Sequence, residues 1–221
     1  MAPLLSRFSK EIKMFHYAKR VLGVVLSALL FAPVFADQPK SESISVDDKS
    51  FQCITKMTPV RGFYVASLTG QLDKTVAVAK SRKGGEYPPG SVVQLIPGEA
   101  MVKQPKGTNP PTHDWEFFEL DVDAKGTKIR KRGYIDVVNR FGGNCFACHV
   151  QAKPQWDLIC EKDHGCQPIP LTESMFRALQ HNDPRCSPHK LSAADKKALQ
   201  NIDEALDKLK KMSATGGADA K

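Results

Sequence analysis

The run Trp115-Glu116-Phe117-Phe118-Glu119-Leu120-Asp121-Val122 alternates over its later half and sets Phe118, Leu120 and Val122 on one face. That is the period of a half-buried β-strand. Working outward, further short apolar runs stand between turn signals: Gly62–Leu68, Thr75–Ala79, and Ser91–Ile96 behind the Pro88-Pro89-Gly90 turn. A run from Thr127 to Val138 closes the series, and each run reads as a strand. Helical spacing takes over afterwards. Ser192 reads as an N-cap with Asp195 three residues on, and Leu199, Ile202, Leu206 and Leu209 form an apolar stripe suited to core packing. Strands first and helices last predict an α+β fold with a mainly antiparallel sheet and C-terminal helices.

The chain has 221 residues, 41% hydrophobic and 25% charged, a balance that excludes collagen, coiled coil and wholesale disorder. Its formal charge of +8 suggests an anionic partner until the N-terminus is read. Residues 1–36 hold five Lys/Arg and one acid, which leaves 27 basic against 23 acidic residues beyond them. The basic bias is largely a targeting bias, and nucleic acid is not expected as a partner. Basic residues up to Arg20 precede the apolar run Val21–Phe31, then Pro33 and a small-residue end at Val34-Phe35-Ala36. This is the pattern of a cleavable export signal, with an uncleaved anchor as the alternative. The apolar core is short for a membrane span, and no later segment is apolar enough to be one. The expected division is a signal peptide over 1–36, a polar lead-in over 37–50, one folded domain over 51–212 and a flexible tail over 213–221.

Export changes how the six cysteines are read. Cys145-Phe146-Ala147-Cys148-His149 is C-x-x-C-H. Two thiols at this spacing add across the two vinyl groups of a haem, and the adjacent imidazole meets the iron from the same face. Asn144 is placed to cap the short helix that would carry the motif. The competing readings are a dithiol redox pair, which would want a thioredoxin-like βαβ setting, and half of a zinc site completed by Cys160, Cys166 and His164. A single motif implies one covalently attached haem c, with its iron held by His149. Cys53, Cys160, Cys166 and Cys186 allow three pairings, and spacing does not choose among them. One option closes Cys160 to Cys166 as a small loop and leaves Cys53 to reach Cys186.

Most small electron-transfer cytochromes c are helical and carry the motif near the N-terminus. Here it follows about a hundred residues of β pattern. Gly90-Ser91-Val92-Val93, Gly98-Glu99-Ala100-Met101-Val102-Lys103, Asp114-Trp115-Glu116-Phe117-Phe118 and Cys145–His149 together resemble the cytochrome P-460 family, which includes the cytochromes c′-beta. The resemblance covers roughly residues 50–190. It implies a mainly antiparallel β fold, usually a homodimer, with one c-type haem whose sixth position is open. Cys145 and Cys148 would hold the haem, His149 would be the proximal ligand, and Glu99 matches the distal-pocket carboxylate that handles protons. Cytochromes P-460 oxidise hydroxylamine and carry a lysine cross-linked to the haem; the c′-beta members lack the link and bind nitric oxide or carbon monoxide. The cross-linking lysine belongs on the strand aligned with Ser91–Ile96, where Leu95 stands instead, and Lys103 falls in the next segment.

The expected function is therefore an exported monohaem c-type cytochrome with an open or weakly closed distal side. It would bind a small diatomic or nitrogen-containing ligand, or exchange electrons with a redox partner cytochrome. The alternatives are a hydroxylamine-oxidising enzyme and a plain electron carrier with two protein ligands on the iron. Other candidates have plainer readings. Glu99 alone reads as a strand-end acid, and Met57, Met101 and Met175 as core filler. His113, His164, His181 and His189 read as surface residues. The basic run Lys128, Arg130, Lys131, Arg132 reads as a solvated sheet edge.

Overall fold

Short alternating strands separated by tight turns pair here with their neighbours in sequence, giving one six-stranded antiparallel sheet in the order β1 to β6. The strands are β1 (Thr58–Val60), β2 (Phe63–Ser67), β3 (Ser91–Gln94), β4 (Glu99–Lys103), β5 (Trp115–Asp123) and β6 (Gly126–Gly133). The computed structural model describes residues 42–187 and 191–215, the last eight as backbone alone. The expected signal peptide, the start of the lead-in, His189, the side chain of Leu209 and residues 216–221 lie outside the described residues.

Both faces of the central strands are buried, so the period of two places different residues in two cores. Val65, Val93, Met101, Trp115 and Phe117 face one core, which Tyr87, Val137, Leu158 and Ile159 complete. Val92, Ala100, Val102, Phe118 and Leu120 face the other. That second core is covered by Val46 and Phe51, so the end of the polar lead-in is built into the domain. Its backbone is held there: Gln104 brackets Ile44, accepting from its N–H at 2.9 Å and donating to its carbonyl at 3.2 Å.

Two expected strands differ. Thr75–Ala79 lies within helix α1 (Leu72–Lys80). The run is short enough for either structure, and the burial of Thr75 and Ala79, one helical turn apart, decides it. Thr75 Oγ1 donates to the Gln71 carbonyl and meets Ser91 Oγ at 2.8 Å, which ties the helix to β3. The run expected to reach Val138 stops at Gly133, where a Cβ would lie 2.8 Å from Asp136 Oδ1 as the chain folds back.

The C-terminal part is helical: α2 (Cys145–His149), α3 (Glu173–His181) and α4 (Ala193–Thr215). Ser192 and Asp195 cap α4 reciprocally, each accepting at 3.0 Å from the other's backbone N–H. Ala198 and Ile202 are buried on its inner side. The helix continues through Ser213–Thr215, the start of the expected tail. Cys53 is joined to Cys186 and Cys160 to Cys166 by disulfides. His113 and His181 are exposed, but His164 is buried, its ring stacked on Trp156 at 3.8 Å between centroids. An imidazole under an indole loses its water contact, so this histidine is not a surface residue. No helix among the described residues is long and apolar enough to cross a membrane.

Candidate functional site

Helix α2 is a single turn whose N-terminus is fixed from both sides. Asn144 accepts from the Ala147 N–H at 2.8 Å and donates to the Ile135 carbonyl at 2.8 Å, and the Cys145 N–H reaches the Val137 carbonyl at 3.0 Å. Within that turn Cys145 is half-buried and Cys148 exposed, and they are the two cysteines outside disulfides. His149 closes the turn, half-buried, with its ring 5.4 Å from that of Phe117 on β5.

The imidazole of His149 is oriented by one bond. Its Nδ1 lies 2.7 Å from the Leu158 carbonyl, and a carbonyl can only accept, so Nδ1 carries the proton and Nε2 keeps its lone pair. Burial holds the ring below its ordinary pKa, against the opposing effect of the Leu158 bond, which favours the neutral, ligand-competent form. Leu158 is itself held by its neighbour. The Asp157 carbonyl accepts from Trp115 Nε1 at 2.8 Å, and the Asp157 carboxylate takes both Lys103 Nζ, at 2.7 and 2.8 Å, and the Tyr87 N–H. Lys103 and Asp157 are both buried, with side-chain exposures of 3% and 5%. Cys160 Sγ, inside its disulfide, lies 3.7 Å from the Cys148 carbonyl oxygen, so the closed loop packs on the back of the motif.

Glu99 stands at the start of β4, on the same sheet face as Met101 and Lys103. Its Oε1 accepts from Asn139 Nδ2 at 3.0 Å. Burial and the Glu119 charge push its carboxyl up to about 7, against the pull of Asn139 and Arg140. Burial, then the charges of Glu99 and Glu119, push the Cys145 thiol up to about 12. Glu99 is therefore electrostatically joined to the first cysteine of the motif.

These facts bear on the competing readings. A zinc site built with Cys160 and Cys166 is disfavoured, because both sulfurs are in a disulfide and neither is a thiolate. A redox dithiol needs a thiol of lowered pKa, whereas Cys145 is raised, and the sheet has no parallel strand pair. The residues fit a covalently attached haem. Two unpaired thiols share one turn, a bare imidazole nitrogen is set by its carbonyl partner, and Val138, Phe141 and Val150 stand exposed close by in sequence. Such apolar side chains are costly in water and suit the face of a large apolar cofactor.

Comparison of the chain with family models, with curated proteins and with solved structures gives no match.

Sequence reasoning missed two parts of this site. Leu158 contributes only a carbonyl, which no residue type announces. Glu119 has no exposed surface and faces the same core as Phe117. Its signal was an acid on the face of the strand that also carries Trp115 and Phe117.

Proposed function

We propose that this protein is an exported monohaem c-type cytochrome of the cytochrome P-460 kind, with the haem joined to Cys145 and Cys148 and its iron held by His149 Nε2. The observation that carries the reading is the division of the cysteines. Four of the six are consumed in disulfides, and the two left free are those of the C-x-x-C-H turn, beside an imidazole whose other nitrogen is already bonded. Disulfides belong to an oxidising compartment, which agrees with export to a periplasm.

A bound haem supplies the redox couple and an iron coordination position for a small ligand such as nitric oxide. The chain supplies the rest. Leu158 sets the rotation and tautomer of His149, and a carbonyl partner raises the basicity of a ligating imidazole. Glu99 is the carboxyl group placed to hold a proton beside the Cys145 end of the motif. Hydroxylamine oxidation, which in the family goes with a cross-linked lysine, is disfavoured: Lys103 Nζ is committed to a buried pair with Asp157. An open or weakly closed distal side that binds a small ligand or passes electrons to a partner cytochrome is the function retained.

The test is an optical spectrum of the protein exported from a host able to attach haem c, oxidised and reduced, with and without nitric oxide. A high-spin spectrum that changes with the gas supports the reading, and absence of covalent haem overturns it. A six-coordinate spectrum indifferent to the gas makes the protein an electron carrier. In His149→Ala the haem remains attached through its thioethers while the iron spectrum changes; an unchanged ligand-field spectrum refutes the assignment of His149.

A further inference from the structure

Glu99 and Glu119 are direct cross-strand partners on β4 and β5, so their side chains leave the sheet on the same face, with Cβ atoms about 5 Å apart. Two carboxylates so placed repel each other unless a proton or a cation intervenes. The cations present reach only one side. Glu119 Oε1 accepts from Arg140 Nε at 2.7 Å and pairs with Arg130 Nη2 at 3.0 Å. Arg130 reaches it because of a bulge. The register shifts between Glu119 and Leu120, whose partners are Lys131 and Ile129, and Arg130 is the residue left over; a bulge re-aims such a residue.

Glu119 Oε2 is different. It is fully buried and has no hydrogen-bond partner, although Glu119 has no exposed surface at all. A buried carboxylate oxygen without a donor is costly, and the donor it lacks is what a protonated carboxyl opposite would supply.

We infer that Glu119 is the positioning partner of Glu99: the two carboxyl groups hold one proton between them, with Glu99 as the O–H donor and Glu119 Oε2 as the acceptor. Both arginines bond to Glu119, which leaves Glu99 as the member of the pair that carries the proton. The groups around the pair agree with this arrangement. Arg130 from β6 and Arg140 from the segment ahead of α2 pair with Glu119; Asp121 lies 4.0 and 3.5 Å from the two arginines, and Arg140 Nη2 also donates to the Leu120 carbonyl at 2.5 Å. Asn139 binds the other side of Glu99, and Cys145 of α2 senses the charges of both acids. The segment 139–140 thus fastens the motif to the sheet through the same two acids that hold the proton. Under the proposed function, to which this inference adds the source of the proton, the store lies beside the attachment point of Cys145.

The experiment is infrared spectroscopy of the purified full-length protein through a pH titration, following the C=O stretch of protonated carboxyl groups. This readout needs no iron, so its failure is distinct from failure of the haem reading. The wild type shows a carboxyl band that persists above the ordinary carboxylate range and disappears near pH 7. Glu99→Gln abolishes that band. Glu119→Gln moves its midpoint down by about one pH unit or more, because the like charge opposite is gone. A persistent band in Glu99→Gln, or an unmoved midpoint in Glu119→Gln, overturns the inference. Should Glu119→Gln fail to fold, Glu99→Gln decides by stability, since glutamine mimics the protonated acid. A raised folded-state pKa gives stability that is present at low pH and lost as pH rises toward the folded value. The wild type therefore falls behind Glu99→Gln between about pH 4.5 and 7. A difference that is flat across that window refutes proton sharing.

Discussion

Replacing Asp157 with asparagine isolates the charge of the buried pair from its shape. Asp157 has φ +48°, and asparagine tolerates this left-handed backbone about as well as aspartate. The amide oxygen can still accept from the Tyr87 N–H, which the carboxylate takes at 2.8 Å. What is lost is the counter-charge of Lys103, whose ammonium meets both carboxylate oxygens at 2.7 and 2.8 Å and is 3% exposed. Removing one partner of a buried ion pair costs about 3–5 kcal/mol, because the other charge stays buried and uncompensated. Against a total stability of about 5–15 kcal/mol for a domain this is a large fraction. The Trp115 ring 5.2 Å from Nζ offers partial compensation through its π face, which places the expected loss toward the lower end. Urea unfolding should show a reduced midpoint with little change in slope. Lys103→Met alone should also be costly, and the double variant Lys103→Met/Asp157→Asn should cost less than the two singles together, because no buried charge is then stranded. A loss below about 1 kcal/mol in Asp157→Asn, or strict additivity in the cycle, would show that the pair is solvated and the reasoning wrong.

The remaining expectations concern connections and turns. Removing the Cys53–Cys186 disulfide with two serines releases a separation of 133 residues and should cost about 5 kcal/mol by loop entropy, against about 2 kcal/mol for the separation of 6 closed by Cys160–Cys166. Thermal or urea unfolding of the two double-serine variants checks the order, and equal losses would refute it. Gly84→Ala places a Cβ 1.9 Å from the Gln155 carbonyl oxygen at φ +78° and should destabilise by at least about 2 kcal/mol. Gly62→Ala, with nothing within 4 Å, should stay within about 0.5 kcal/mol. Similar losses for both glycines would refute the close approach of the two loops.

The strand at Trp115–Asp123 was legible because its later half alternates, and the N-cap of α4 because serine and aspartate stand three apart. The motif helix was legible as a spacing. The helix at Leu72–Lys80 was not, because an apolar run of five residues satisfies either period and only its packing on β2 and β3 selects one. The burial of His164 was equally hidden: it depends on Trp156, eight residues away, and on a disulfide that folds the intervening chain back.

Sequence by itself determined the α+β order, the antiparallel character of the sheet and the residue types of the C-x-x-C-H turn, because these are local patterns of period, turn chemistry and spacing. Tertiary structure alone decided how the four remaining cysteines pair, that Lys103 is spent on Asp157, that a carbonyl at Leu158 sets His149, and that Glu119 stands opposite Glu99. Each of these joins groups from separate elements, or a side chain to a backbone atom that carries no residue-specific signal. Such contacts arise only once strand register and burial have brought the partners together, and burial then makes each of them energetically decisive.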